Sequence, residues 1–255
     1  MLRHVTSVTI IIGGVDAVVK RLIAGNWKMF GLRSACNELE KLQNMMTPRD
    51  AERADVLICP PPTLLTTLTD RYGEGPILFG GQDCHPLEYG AFTGDVSAEQ
   101  LKDAGATHCI VGHSERRQGY SETNTLVRRK AEAAHRAGLV PIVCVGETRG
   151  ERVVCQASQV VIAQIEASMP TTSGEVVVAY EPIWAVGTGV IPDNETLEEM
   201  LSAIRETVGG DRRILYGGSV KPHNAAHIFS VPQVNGALIG GASLKAEDFY
   251  GIIAA

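Results

Sequence analysis

The chain has 255 residues, 44% of them hydrophobic and 20% charged. That is enough for one large domain with a sizeable core, and unlike the composition of a disordered chain. Its 23 basic and 29 acidic residues leave a net charge of −6, which excludes a general nucleic-acid binder, because such a protein needs a basic surface to displace counterions; no apolar run approaches the roughly 20 residues of a bilayer span.

Residues 1–20 carry an early Arg3 and a short apolar patch at 8–12. The patch is shorter than the ~7 to 15 residue core of a secretory signal. These twenty residues read as an extension outside the folded domain, which is expected to span 21–255. From Arg21 onward, short apolar runs alternate with helical segments. The runs are 22–24, 56–59, 77–81, 108–112, 141–146, 176–180, 214–217 and 237–240, eight in all. They are nearly continuous in hydrophobicity rather than alternating, as parallel strands covered on both faces should be.

Between the runs lie amphipathic stretches. Leu32, Ala35, Cys36, Leu39, Leu42 and Met46 recur at spacings of mostly three or four. The stretch 121–137 ends at Gly138, a C′ residue, and Thr196 to Glu199 reads as a capping box or first turn of a later helix. Eight β-then-α units predict an α/β fold of the (β/α)8 barrel type in a single domain. A doubly wound sheet normally has fewer strands and a GxGxxG after the first, which is absent here. Cys59, Cys109 and Cys144 fall inside apolar runs. With no Cys-x-x-Cys among six cysteines and no ligand spacing among seven histidines, the expectation is buried reduced thiols in a cytoplasmic protein and no metal.

One connection is unusual. Residues 83–95, DCHPLEYGAFTGD, show no helical periodicity and exceed an ordinary βα loop. The loop carries Tyr89 and Phe92, which are costly to leave in water, so it should dock on something.

In a parallel barrel all strand C-termini open on one face, so residues that follow different strands converge. Asn26 and Lys28 follow the first run, His113 and Glu115 the fourth, Glu181 the sixth, Ser219 the seventh, and Gly240 and Gly241 the eighth. Glu181 stands at the tip of a buried strand, where a general base belongs. The eight residues after it begin with Pro182, contain Trp184 and end in Gly187-Thr188-Gly189, which suits a hinged lid. The glycine pairs Gly217-Gly218 and Gly240-Gly241 expose backbone N–H groups for a phosphate dianion. Lys28 adds a local positive charge. Glu147, after the fifth run, reads either as the partner of the Trp184 indole or as a helix-start carboxylate. With no nucleophile–base pair and no dinucleotide fingerprint, these residues point to cofactor-free proton abstraction beside a carbonyl in a small phosphorylated molecule.

Four stretches, AGNWKM (24–29), VGHSERR (111–117), AYEPIWAVGTG (179–189) and YGGSV with LIGGASL (216–220, 238–244), together resemble the triosephosphate isomerase family. The resemblance implies interconversion of dihydroxyacetone phosphate and glyceraldehyde 3-phosphate through an enediol(ate), in glycolysis and gluconeogenesis, with no cofactor. It implies that Glu181 is the base and that His113 is a neutral imidazole polarising the carbonyl. Lys28 and Asn26 would stabilise oxygen charge, and Gly187, Ser219, Gly240 and Gly241 would hold the phosphate. It also implies a homodimer through loop 83–95. Phe30, Gly81-Gln82-Asp83 and Asn235 depart from the family pattern without touching those roles. Another phosphate-binding barrel enzyme, of the sugar-phosphate epimerase type, or a non-catalytic surface-binding relative are the alternatives.

Overall fold

In the computed structural model, residues 19–255 are described. The expectation for residues 1–20 therefore lies largely outside the described residues, although Lys20 is seen to pair with Asp55 at 2.7 Å. Eight strands, β1 (Arg21–Asn26), β2 (Ala54–Cys59), β3 (Ile77–Gly81), β4 (His108–Val111), β5 (Val140–Val145), β6 (Val177–Tyr180), β7 (Ile214–Tyr216) and β8 (Gly236–Ile239), close into a barrel in sequential order. Every neighbouring pair is parallel, including β1 with β8. Each predicted apolar run became one strand.

The continuous hydrophobicity of the runs follows from a core on both sides of the sheet. Leu22, Ala24, Leu57, Cys59, Ile110, Ile142, Cys144, Val177, Ala179, Leu215 and Leu238 fill the barrel interior. Their strand neighbours, such as Ile23, Val56, Ile58, Val143, Val145, Val178 and Ile239, pack outward against the helices. The period-2 alternation of a strand therefore carries chemical information at the strand ends. On β1 the inward parity runs 22, 24, 26, and on β6 it runs 177, 179, 181, so Asn26 and Glu181 continue the inward series into the barrel mouth.

Two helix starts repay attention. The helix Asn194–Val208 is capped by Asp193, whose carboxylate accepts the Thr196 N–H at 2.8 Å. Thr196 is thus the third helical residue, so of the two readings of this stretch the first turn holds and the capping box does not. The earlier carboxylate, placed just after Pro192, takes the capping position first. The stretch 121–137 forms the helix Asn124–Arg136, capped by Thr123. Gly138 does adopt the left-handed conformation expected after it, with φ 73°. Five of the six cysteines are buried and all six are free thiols; Cys155, which is exposed, departs from the expectation of buried thiols because it sits in a loop outside the strands.

Candidate active site

The C-terminal mouth of the barrel holds a cavity of about 790 Å³ lined by Asn26, Lys28, His113, Glu181, the 186–189 segment, Gly217 to Ser219 and Gly240 to Ala242. Thus Asn26, Lys28, His113, Glu181, Gly187, Ser219, Gly240 and Gly241, drawn from five strand tips and the segment after Glu181, share one space, whereas Glu115 does not line it. No helix among the described residues is long and apolar enough to cross a membrane. Among the described residues no group of three or more His, Cys, Asp or Glu side chains is placed to hold a metal ion.

Glu181 lies on the cavity floor and is 2% exposed. Its Oε1 is 3.0 Å from His113 Nε2, and its Oε2 accepts the Ser114 N–H at 3.1 Å. Room for this carboxylate comes from Gly217, where a Cβ would stand 2.6 Å from Glu181 Cγ. His113 reaches the same spot by a break in strand parity. Gly112 takes φ 66° at the end of β4, and the left-handed turn swings the next side chain into the mouth. His113 then caps the helix Ser114–Gly119, with Nδ1 accepting the Glu115 N–H at 3.2 Å. A nitrogen that accepts a backbone N–H carries no proton of its own, so the ring proton sits on Nε2, facing Glu181.

Opposed effects set the charges of this pair. Burial penalises the His113 imidazolium, but the facing Glu181 carboxylate outweighs it and raises the histidine pKa. Burial likewise works against the Glu181 carboxylate, and His113, the Ser114 N–H and Lys28 together hold its pKa below the ordinary value. The resemblance implied a neutral imidazole at His113. The facing Glu181 carboxylate instead favours the charged ring.

Lys28 adopts φ 54°, rare for a side-chain-bearing residue. It is fixed at three points. Its N–H donates to Asn26 Oδ1 at 2.9 Å, its carbonyl accepts from Gln82 Nε2 at 2.8 Å, and its ammonium meets Glu115 Oε1 at 2.6 Å. Gln82 also donates to the Cys59 carbonyl at 2.9 Å, so it ties the loop after β1 to the end of β2. The sequence had marked Gln82 only as part of a departure, and nothing in its spacing showed this role.

The glycine-rich turns lie after β7 and β8. Ser219 follows β7, ahead of the helix Pro222–Phe229, and Gly241 opens the short helix Gly241–Leu244 after β8. Ser219 also reaches the segment after Glu181, donating to the Ala185 carbonyl at 2.9 Å and accepting the Gly189 N–H at 3.1 Å. The beginning of that segment is anchored too. Trp184 Nε1 donates to Glu147 Oε1 at 2.8 Å, which resolves the two readings of Glu147 in favour of the indole partner.

Loop 83–95 is irregular throughout, apart from a bridge between His85 and Ser97. Phe92 stacks on the His85 ring at 4.0 Å, yet it remains 42% exposed and Tyr89 83% exposed. Beneath the loop lies a circuit that sequence spacing did not reveal. Lys130 pairs with Asp83 at 2.7 Å, and Arg116 bridges Asp83 at 2.9 Å and Glu122 at 2.6 Å.

A closed parallel barrel with a buried carboxylate, an imidazole, a lysine and two glycine-rich turns at its C-terminal mouth is the architecture of a (β/α)8 enzyme acting on a small anionic molecule. The comparisons with known proteins make the class specific. The family model described as triosephosphate isomerase matches residues 21–255. A triosephosphate isomerase of Rhodopseudomonas palustris (strain BisA53) is 52% identical over 251 residues, covering 94% of this chain and 99% of its own. One from Ruegeria sp. (strain TM1040) is 51% identical, covering 93% and 98%. The crystal structure of triosephosphate isomerase from Bartonella henselae superposes with a TM-score of 0.84 at 44% identity, covering 92% of this chain and 98% of that one. The chain belongs to the triosephosphate isomerase family, and is a cofactor-independent isomerase.

Proposed function

We propose that the chain interconverts dihydroxyacetone phosphate and glyceraldehyde 3-phosphate, in glycolysis and gluconeogenesis, with the residues named above in the following roles. The observation that carries this reading is the contact of a fully buried Glu181 with His113 Nε2 at 3.0 Å on the floor of the cavity. A substrate entering between them separates the pair. Glu181, desolvated and close to the substrate carbon, takes the carbon-bound proton and returns it to the neighbouring carbon. His113 loses the carboxylate that favoured its charge. Burial and the helix N-terminus remain, and both favour the neutral ring. Its Nε2–H then donates to the carbonyl oxygen, while Lys28 and Asn26 stabilise the negative oxygen that develops.

The phosphate is held by the backbone amides of Gly240 and Gly241, by Ser219, and by the Gly187 amide as the lid closes. Closure excludes water from an intermediate that would otherwise eliminate phosphate. The exposed apolar tip of loop 83–95 supports a homodimer in which this loop inserts beside Asn26 and Lys28 of the neighbouring subunit. Each site still holds only its own subunit's catalytic residues. We further propose that the protein works in the cytoplasm and that residues 1–20 are dispensable for the barrel. The test is a coupled assay with dihydroxyacetone phosphate in deuterated water after exhaustive chelation. Turnover with solvent deuterium entering the product at carbon is expected. Absence of turnover, or loss on chelation that a divalent ion restores, would remove the proposal.

A further inference from the structure

Around the start of the lid, the structure gathers four side chains that the reaction itself does not use. Glu147 is wholly buried, at 0% exposure. Its Oε1 accepts from Trp184 Nε1 at 2.8 Å, Tyr180 OH at 3.2 Å and Arg152 Nε at 2.7 Å. Its Oε2 is buried with no partner. Arg152 Nη2 also donates to the Tyr180 hydroxyl at 3.2 Å, and its guanidinium lies 5.6 Å from the centre of the Trp184 ring. Arg152 thus touches every other member of the group, and it is the only cation that pairs with Glu147 among the described residues.

Tyr180 and Trp184 bracket Glu181 in sequence. The backbone follows the same bracket. The Glu181 N–H donates to the Val145 carbonyl at 2.8 Å, and the Ile183 N–H donates to the Glu147 carbonyl at 3.0 Å. Glu147 therefore holds the segment that carries the base at two points, through its carbonyl at Ile183 and its carboxylate at Trp184. A buried carboxylate deprived of its cation is strongly destabilising, whereas removing both partners often is not. Arg152 is delivered by the helix Arg149–Val153, only five residues long, which a reciprocal Thr148–Glu151 capping box closes at its start. Burial disfavours the guanidinium, but Glu147 and Tyr180 outweigh this and raise its pKa.

We infer that Arg152 is a positioning residue for the reaction: by neutralising Glu147 and lying against Trp184, it fixes the lid's fixed end and, through it, the reach of Glu181. This rests on the assignment of Glu181 as the base. Four full-length proteins test it: wild type, Arg152→Gln, Glu147→Gln and the double substitution, each measured for kcat, KM, melting temperature and substrate-free tryptophan emission. Arg152→Gln should lower kcat by about ten- to a hundredfold, the scale of a sub-ångström to 1 Å misplacement, with KM changed by less than about threefold and Trp184 emission shifted. The double substitution removes the stranded carboxylate and should recover most of the lost kcat.

Wild-type kcat in Arg152→Gln would overturn the inference. So would a double substitution no better than Arg152→Gln alone, since a merely structural arginine would show no such recovery. If Arg152→Gln does not fold, the double substitution decides: folded and active supports the inference, unfolded overturns it. The emission shift is read without substrate, so it separates this inference from the assignment of Glu181, whose failure would instead appear as full activity in Glu181→Asp.

Discussion

Strand β4 carries a buried histidine at its start and is followed by another just past its end, and the two have opposite chemistry. His108 and His113 are each 5% exposed. His108 has its pKa pushed down to about 4, first by burial and then by the nearby Arg213. His113 is raised, because the Glu181 carboxylate outweighs burial. Burial is shared, so the partner decides. At the N-terminal mouth the charges are consumed by one another in a chain of Lys20, Asp55, Arg213 and Glu175, with contacts of 2.6 to 2.8 Å. At the C-terminal mouth they line an open cavity. The lower end of the barrel is built for stability and the upper end for proton transfer, in line with the division of labour in this fold.

The comparison can be broken first at the upper end. Thr93→Arg places an unpaired charge in the proposed contact of loop 83–95 with a neighbouring subunit, which costs several kcal/mol when buried. The variant should sediment as a monomer and lose most activity while circular dichroism shows the barrel kept. A fully active monomer would take the loop out of the mechanism. Gly241→Val is a milder intrusion. A Cβ at Gly241 meets nothing within 4 Å, so the fold should tolerate it, but the side chain fills the space next to the amides proposed to hold the phosphate. KM should rise at least roughly tenfold, equivalent to about 1.4 kcal/mol of binding, and an unchanged KM would move the phosphate elsewhere.

At the lower end the expected effect is on stability alone. His108 stays neutral in the folded chain down to about pH 4, whereas the unfolded chain protonates near pH 6.5. The unfolded state therefore binds more protons between those values, and stability falls as pH drops through that window. The loss attributable to His108 between pH 7.5 and 5 is about 2 kcal/mol. His108→Leu should remove that part of the acid dependence of the urea midpoint and leave kcat unchanged. The same pH slope in the variant would show that His108 is not responsible. The smallest effect is expected from residues 1–19: a chain starting at Lys20 should keep its kcat and melt within about 3 °C of the full chain.

Much of this division was legible in the sequence, for a physical reason. Strands buried on both faces leave unbroken apolar runs, so all eight could be read. The polar residue just past each run then marks the mouth of the barrel, which is how Asn26, His113 and Glu181 were found. Pairings between distant segments leave no such trace. Gln82 holds the Lys28 carbonyl across 54 positions, and Lys130 meets Asp83 across 47. Arg152 looks in sequence like any charged residue on a short exposed helix. The balance between burial and a facing carboxylate at His113 was likewise invisible, because it depends on a separation of 3.0 Å between two strand tips. At Thr196 to Glu199 the sequence left open a capping box or a first turn; Asp193, one step after a proline, takes the cap, and the first turn holds.

The central claim is that Glu181, held on the cavity floor against His113, moves the carbon-bound proton. Glu181→Asp tests it most directly. The substitution withdraws the carboxylate by about one methylene, and a ~1 Å misplacement costs on the order of 10²-fold in rate. The fold and the phosphate turns are untouched, so steady-state kinetics with dihydroxyacetone phosphate should show kcat falling about a hundredfold while KM changes little. A kcat equal to that of the unsubstituted chain would contradict the assignment.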